Sequence, residues 1–230
     1  MTRDYLIKEG NGVIWVNIDP ITQIENQPLN VTADVYMAWD SGHFYFAMEV
    51  TKPADHYNNE MTNDLLWKGD CLQIQIAESP SADRYELGFA YSTGRKSQLS
   101  YQWFPVPKET GLQRGKDYTV ALNNSNKKKA VYEIALPVSY FSKKTDLFKQ
   151  GAKIPFAFAL HVADRNDPVA KEDPNVTPGC FYEWARGVVG GELEKQITSA
   201  AIITLGGPAS GGDTTPKPTP SPKPSTSTSP

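Results

Sequence analysis

Two cysteines, Cys71 and Cys180, and three histidines are the only Cys and His in 230 residues. They are too few for a structural zinc site, since no His stands at ligand spacing from either thiol. Long apolar runs are also missing: no stretch approaches the ~20 residues that cross a bilayer. Neither sign of charge dominates. With 23 Lys and Arg against 26 Asp and Glu, the formal charge is −3, which gives no reason to expect DNA, RNA or an anionic membrane as partner. The one basic run, Lys127-Lys128-Lys129, follows Asn123-Asn-Ser-Asn126 and reads as a solvated hairpin tip. The opening Met1-Thr-Arg-Asp4 is not a signal peptide, and the chain is read as part of a longer one.

Catalytic motifs are absent as well. A glycosidase needs two carboxylates at fixed separation across a cleft. Glu49, Glu86, Glu133 and Glu183 are candidates, but no motif ties any two of them together. None of His43, His56 and His161 stands near a nucleophile elbow. The chain is therefore read as a non-enzyme.

What is present is period-two alternation in short segments. Val35, Met37 and Trp39 share a parity, Asp40-Ser-Gly42 turns the chain, and Phe44, Phe46, Met48 and Val50 then share a face. Leu72, Ile74 and Ile76 alternate with Cys71, Gln73 and Gln75. Further strands are predicted at 84–90, 97–103, 118–122, 130–136, 155–163 and 198–205. One short helix is predicted at Val138–Phe141, after Pro137. Many short strands with frequent turns and almost no helix predict an all-β fold, an antiparallel β-sandwich.

The last residues differ in kind. From Thr214 to Pro230 the sequence uses only Thr, Pro, Lys and Ser, after a Gly-rich lead-in. Such a segment has no apolar surface to bury and forms an extended spacer. The expected organisation is one module over residues 1–206 and a linker over 207–230, joining neighbouring modules of a larger protein.

Two tryptophans carry the functional signal: Trp67 in Leu-Leu-Trp-Lys-Gly-Asp and Trp184 in Phe-Tyr-Glu-Trp-Ala. An indole face stacks on the C–H face of a pyranose, while amide and carboxylate side chains take its hydroxyls. If Trp67 leads directly into its strand, it shares a face with Cys71, Gln73 and Gln75, which makes a polar floor beside the ring. Two ordinary core aromatics and a plain solvent-facing strand are the competing reading. The cysteines lie four residues from each Trp, and the pairs 67/184 and 71/180 have the same index sum. That is the arithmetic of an antiparallel register, so a disulfide beside the indoles stands as an alternative to two buried thiols.

The order of segments resembles a family 9 carbohydrate-binding module. Residues 34–50 resemble that family's early hairpin. Trp67-Lys-Gly-Asp-Cys-Leu-Gln-Ile-Gln-Ile76 resembles its Trp-x-x-Asp-x-(apolar)-Glu-(apolar) signature. Tyr132-Glu-Ile-Ala-Leu-Pro137 and Phe156-Ala-Phe-Ala-Leu-His-Val-Ala-Asp-Arg-Asn-Asp167 are similar to two later segments. The resemblance implies a secreted, non-catalytic, jelly-roll-like module that binds plant polysaccharide or its oligosaccharides, of xylan or cellulose type. It implies that Trp67 and Trp184 form the two walls of a sugar slot. Gln73 stands where well-studied members carry an acidic contact, a departure that bears on affinity and choice of sugar. Arg95 falls near the family's basic contact after a one-residue shift. Gln75 and Glu183 complete the expected polar set.

Asp164, Asn166 and Asp167, with Asp173 beyond, form an acidic loop that could supply several of calcium's six to eight oxygens. An Asx-rich turn capping a strand explains the same residues. The resemblance, in which calcium is common, favours a structural calcium ion. The same general sandwich also holds haem between a Met and a His in extracellular b-type cytochrome domains. Met61 and His161 are the pair available for that alternative.

Overall fold

The computed structural model describes residues 2–7, 14–17, 31–60, 62–123, 126–163, 179–183, 188 and 201–206, with only the backbone described at 2–7, 14–17, 179–183 and 201. The described residues form two antiparallel sheets packed face to face. In spatial order the first sheet holds β1 (Thr2–Ile7), β3 (Thr32–Trp39), β4 (His43–Thr51), β9 (Lys129–Pro137) and β8 (Tyr118–Leu122). The second holds β2 (Ile14–Asn17), β11 (Gly179–Glu183), β10 (Lys153–Ala163), β5 (Cys71–Ile76), β6 (Tyr85–Ser92) and β7 (Ser97–Phe104). A last strand, β12 (Ala201–Thr204), pairs with the first half of β10, and β11 pairs with its second half. The all-β sandwich expected from alternation is the fold observed. A single turn of helix, α1 (Val138–Phe141), follows Pro137 as predicted.

Alternation builds the core directly. Phe44, Phe46, Met48 and Val50 point inward from β4, and Leu72, Ile74 and Ile76 meet them from β5. Phe46 packs against Phe156 and Phe158 at centroid distances of 5.6 and 5.2 Å, tilted geometries that aromatic quadrupoles favour. The β3–β4 turn is an Asx turn. Asp40 Oδ1 accepts the backbone N–H of Gly42 (2.7 Å) and His43 (2.8 Å), and Tyr45 donates its hydroxyl to Oδ2 (2.7 Å). Those bonds, the Tyr45 hydroxyl first, hold the Asp40 carboxyl below its ordinary range. The lysine run lies exposed in the β8–β9 hairpin, as its sequence suggests. No helix of the described residues is long and apolar enough to cross a membrane.

The antiparallel arithmetic behind the disulfide fails, for a topological reason. β5 and β11 do not pair; they flank β10 on opposite sides. Both are antiparallel to β10, so they are parallel to one another, and aligned positions keep a constant difference: 71 with 181, 73 with 183. Cys71 lies opposite His161 and Cys180 opposite Val162, one strand to either side. Two strand spacings amount to roughly 9.6 Å, beyond the ~7 Å between Cα atoms that a disulfide can bridge. Cys71 is a free, buried thiol, its pKa pushed well up by desolvation.

Candidate functional site

The face of the second sheet turned away from the core carries Cys71, Gln73 and Gln75 on β5. Beside them on β6 lie Ala90, Gly88 and Glu86, and on β10 lie His161, Ala159 and Ala157. This face is not an open surface. Gln73 is 5 % exposed and Gln75 fully buried. Two elements cover it: Leu66 with Trp67, which pack on Cys71 and Ala90, and Val188, which packs on Ala77, Ala157 and Ala159.

Trp67 does not lead directly into β5: it is set on this face by a short 3-10 turn, Leu66–Lys68, and Gly69 and Asp70 join that turn to the strand. Leu66 anchors the turn in a cluster with Cys71, Ala90 and Leu99, and Trp67 packs half-buried against that cluster. The fully buried Asn58 binds the turn from behind, donating its amide to the carbonyls of Leu66 (2.7 Å) and Asp70 (3.2 Å). A Cβ at Gly69 would lie 2.6 Å from Asn58 Cα, so only glycine permits this approach. From the sheet, His161 donates Nδ1–H to the Trp67 carbonyl at 3.1 Å, and its Nε2 meets the side-chain amide of Gln73 at 3.0 Å. Both ring nitrogens meet polar partners, as buried polar groups generally do. Met61 lies outside the described residues.

Asp70 is the node beneath the turn. Its Oδ1 accepts the N–H of Ala163 (2.8 Å), and its Oδ2 accepts that of Tyr57 (2.6 Å) while ion-pairing with Lys52 and lying 3.4 Å from His56 Nδ1. All three charged or titratable side chains are nearly inaccessible. Burial is the main cause holding the His56 pKa below its usual 6.5, with Lys52 adding to the effect and Asp70 opposing it. The folded ring therefore stays neutral where the unfolded chain takes up a proton. This contribution to stability is present above about pH 6.5 and is lost as pH falls through the lower folded pKa. Between pH 7.5 and 5.5 the melting temperature should fall, and in His56→Gln the fall should be shallower. Equal slopes in the two proteins would remove His56 from this account.

Alternation on β7 adds two rings that the sequence reading did not single out. Tyr101 lies opposite Gly88, and Trp103 shares its face. Their rings meet edge to face at 5.6 Å. Both are half-buried and pack on the Leu66 cluster beside Trp67. Trp103 lies directly over Gly88, where a Cβ would stand 2.4 Å from its ring, and donates Nε1–H to the Asp64 carbonyl at 3.2 Å. The spacing Leu99, Tyr101, Trp103 was the available signal. Gly88→Ala should displace Trp103 and Leu66 at a cost of about 1–3 kcal/mol, read as a lower melting temperature and a shifted tryptophan emission. An unchanged emission spectrum would show that Trp103 does not rest there.

Arg95 joins the same neighbourhood from the β6–β7 hairpin. It is exposed, and its Nη1 donates to Asn63 Oδ1 at 2.8 Å. Asn63 in turn donates to the Ser100 carbonyl and to Glu109. Glu183 enters through register alone: its backbone lies opposite Ala159, which lies opposite Gln73, so the three make one row across three strands. The Trp184 position and the acidic loop of Asp164, Asn166 and Asp167 lie outside the described residues. Among the described residues, no group of three or more His, Cys, Asp or Glu is arranged to hold a metal ion. Glu86, one of the carboxylates weighed in the sequence, is fully buried opposite Gln75. Arg84 Nε lies 3.9 Å from its carboxylate, and the guanidinium covers the Phe104 ring at 3.8 Å.

No protein-family model matches the chain, nor does any curated protein sequence. Solved structures match it in fold. A family 9 carbohydrate-binding module from Caldicellulosiruptor kristjanssonii, in complex with cellotriose, is 14% identical over 87% of this chain and 86% of that one, with a TM-score of 0.50. A family 9 module from the same organism in complex with glucose is 15% identical over 90% and 94%, with a TM-score of 0.51. A Bacteroides uniformis protein to which carbohydrate binding is attributed is 11% identical over 85% and 88%, with a TM-score of 0.52. At these identities the likeness is one of architecture, and the chain carries the β-sandwich fold of family 9 carbohydrate-binding modules.

Proposed function

We propose that this chain is a non-catalytic carbohydrate-binding module that takes plant oligosaccharide or polysaccharide of xylan or cellulose type. One observation supports it above the rest: Trp67 is held half-exposed by a buried polar lattice, on the sheet face where alternation also gathers Tyr101 and Trp103. Fixing a ring in advance lowers the entropy lost when a sugar stacks on it. The structural neighbours bound to cellotriose and glucose add weight to the same reading. Trp67 forms one wall of the slot and Trp184 the other. Arg95 and Glu183 serve the sugar hydroxyls, while Gln73, buried and bonded to His161, acts as a positioning residue and Gln75 lies buried in the same row of the sheet face. Calorimetry or affinity electrophoresis against xylan, soluble cellulose derivatives, mannan, cellobiose and xylobiose tests the proposal, and no heat and no retardation with any of them would end it.

In this reading the 207–230 segment is a spacer in a secreted or cell-surface protein. Tethering a partner to its glycan raises the local substrate concentration. A calcium ion held by Asp164, Asn166 and Asp167 supports the fold. Because a ligand of the folded state stabilises it by mass action, excess EDTA should lower the melting temperature and calcium should restore it. A melting curve indifferent to both would remove the ion.

A further inference from the structure

A concavity of about 660 Å³ opens at the edge of the sandwich between β8 and the β6–β7 hairpin. Tyr91 and Gln98 line it from the hairpin. They lie opposite one another in the register, on the face of the hairpin away from Ala90 and Leu99. The cleft and the Trp67 neighbourhood therefore occupy opposite sides of the same hairpin. Tyr57 lines it from the loop, and Lys127 from the β8–β9 hairpin.

Three walls meet here, and His56 ties them together. Its backbone N–H donates to the Lys127 carbonyl (2.8 Å), its Nε2 lies 3.2 Å from the Tyr91 carbonyl, and its Nδ1 faces Asp70. The cleft is thus pre-formed. Gln98 Oε1 accepts the Val120 N–H (3.0 Å), which fixes its amide at the cleft wall with the NH2 group as a remaining donor.

The charges on the rim are biased. Lys96 and Lys127 line the cleft against the single carboxylate of Asp55. Lys128 and Lys129 follow on the exposed hairpin, although the whole chain is formally −3. Lys96 is also the one non-glycine described residue with positive φ (52°), a conformation that glycine or asparagine adopts with less strain. The lysine run that reads in the sequence as a solvated tip therefore stands beside a built cleft with tyrosine rings and a fixed amide.

We propose that this cleft is a second glycan site, one that takes an oligosaccharide bearing carboxylates. Tyrosine rings offer faces to pyranose C–H groups, the Gln98 amide meets hydroxyls, and the rim ammonium groups meet the acid groups of a uronic-acid chain. This site goes beyond the Trp67 reading and does not rest on it.

Trigalacturonate and cellotriose, chains of equal length that differ in charge, separate the two sites by calorimetry at low salt. Trigalacturonate should bind the unaltered protein more tightly than cellotriose does at this cleft, as followed by shifts of the Tyr57 and Tyr91 resonances. The double variant Lys96→Glu, Lys127→Glu changes only exposed side chains. It should weaken trigalacturonate roughly tenfold or more and leave both the melting temperature and cellotriose binding unaltered. Trp67→Ala should leave trigalacturonate binding intact. The proposal is overturned if the double variant binds trigalacturonate normally, if Trp67→Ala abolishes that binding, or if tripolyphosphate competes as well as the sugar acid. The last result would mean that charge alone is recognised.

Discussion

Replacing Asp70 with alanine is expected to cost about 3–5 kcal/mol of folding stability, the range for breaking a buried ion pair by removing one partner. Three groups lose their acceptor at once: the Ala163 and Tyr57 amides and the Lys52 ammonium. Lys52 is only 5 % exposed, so water cannot readily take the place of the carboxylate. Lys52→Met should cost less, because Asp70 keeps both backbone donors and loses only the ammonium. Combining the two substitutions should cost less than the sum of the single effects, since the methionine removes the charge that Asp70→Ala leaves unpaired. Denaturant unfolding of the three variants measures this directly. A cost below about 1 kcal/mol for Asp70→Ala, the level of an exposed pair, would show that solvent reaches the node. Asp70 also joins the end of β10 to the segment leading to Trp67, so the variant should weaken sugar binding even at temperatures where it stays folded.

Trp67→Ala is expected to remove most of the sugar affinity while the domain stays folded. Losing a stacking anchor costs about 1–3 kcal/mol at other interfaces, which corresponds to roughly 5- to 150-fold in the dissociation constant. Folding should tolerate the change because Leu66, not Trp67, is the buried anchor of the turn, and because the His161 bond is to the Trp67 backbone carbonyl. Lys68 reaches over the indole, with its ammonium 5.9 Å from the ring centroid. A sugar stacking on that face displaces it, and the loss of one exposed cation–π contact, about 0.5–1 kcal/mol, is small beside the gain. Titrating the variant with the best-bound oligosaccharide, alongside circular dichroism, gives the result. Unchanged affinity in a folded variant would place the sugar elsewhere on the molecule.

The strands were legible because alternation is a local property. Phe44 to Val50 and Leu72 to Ile76 declare a buried face within seven residues or fewer, and any sandwich that buries it will suffice. The one-turn helix after Pro137 was equally local, since proline presets the first helical position or its cap. β1, β2 and β11 were not expected from the sequence, and the five residues of β11, Gly-Cys-Phe-Tyr-Glu, owe their place to pairing with β10 and β2.

Neighbour relations depended on the tertiary structure. Nothing in the order of segments says that β10 lies between β5 and β11, and that placement alone makes the two outer strands parallel and holds the cysteines apart. The same holds for the site. The sequence marked Trp67 and Gln73 by their spacing, but not that His161, 94 residues beyond Trp67, would bind that residue's carbonyl. Nor could it show that Asp70 finds Lys52 and Ala163. A buried polar group must be paired, but its partner is chosen by whichever distant segment the fold brings within 3 Å. Apolar patterning fixed which side of each strand faces inward; the polar lattice that holds Trp67 in place exists only once the sheets have assembled.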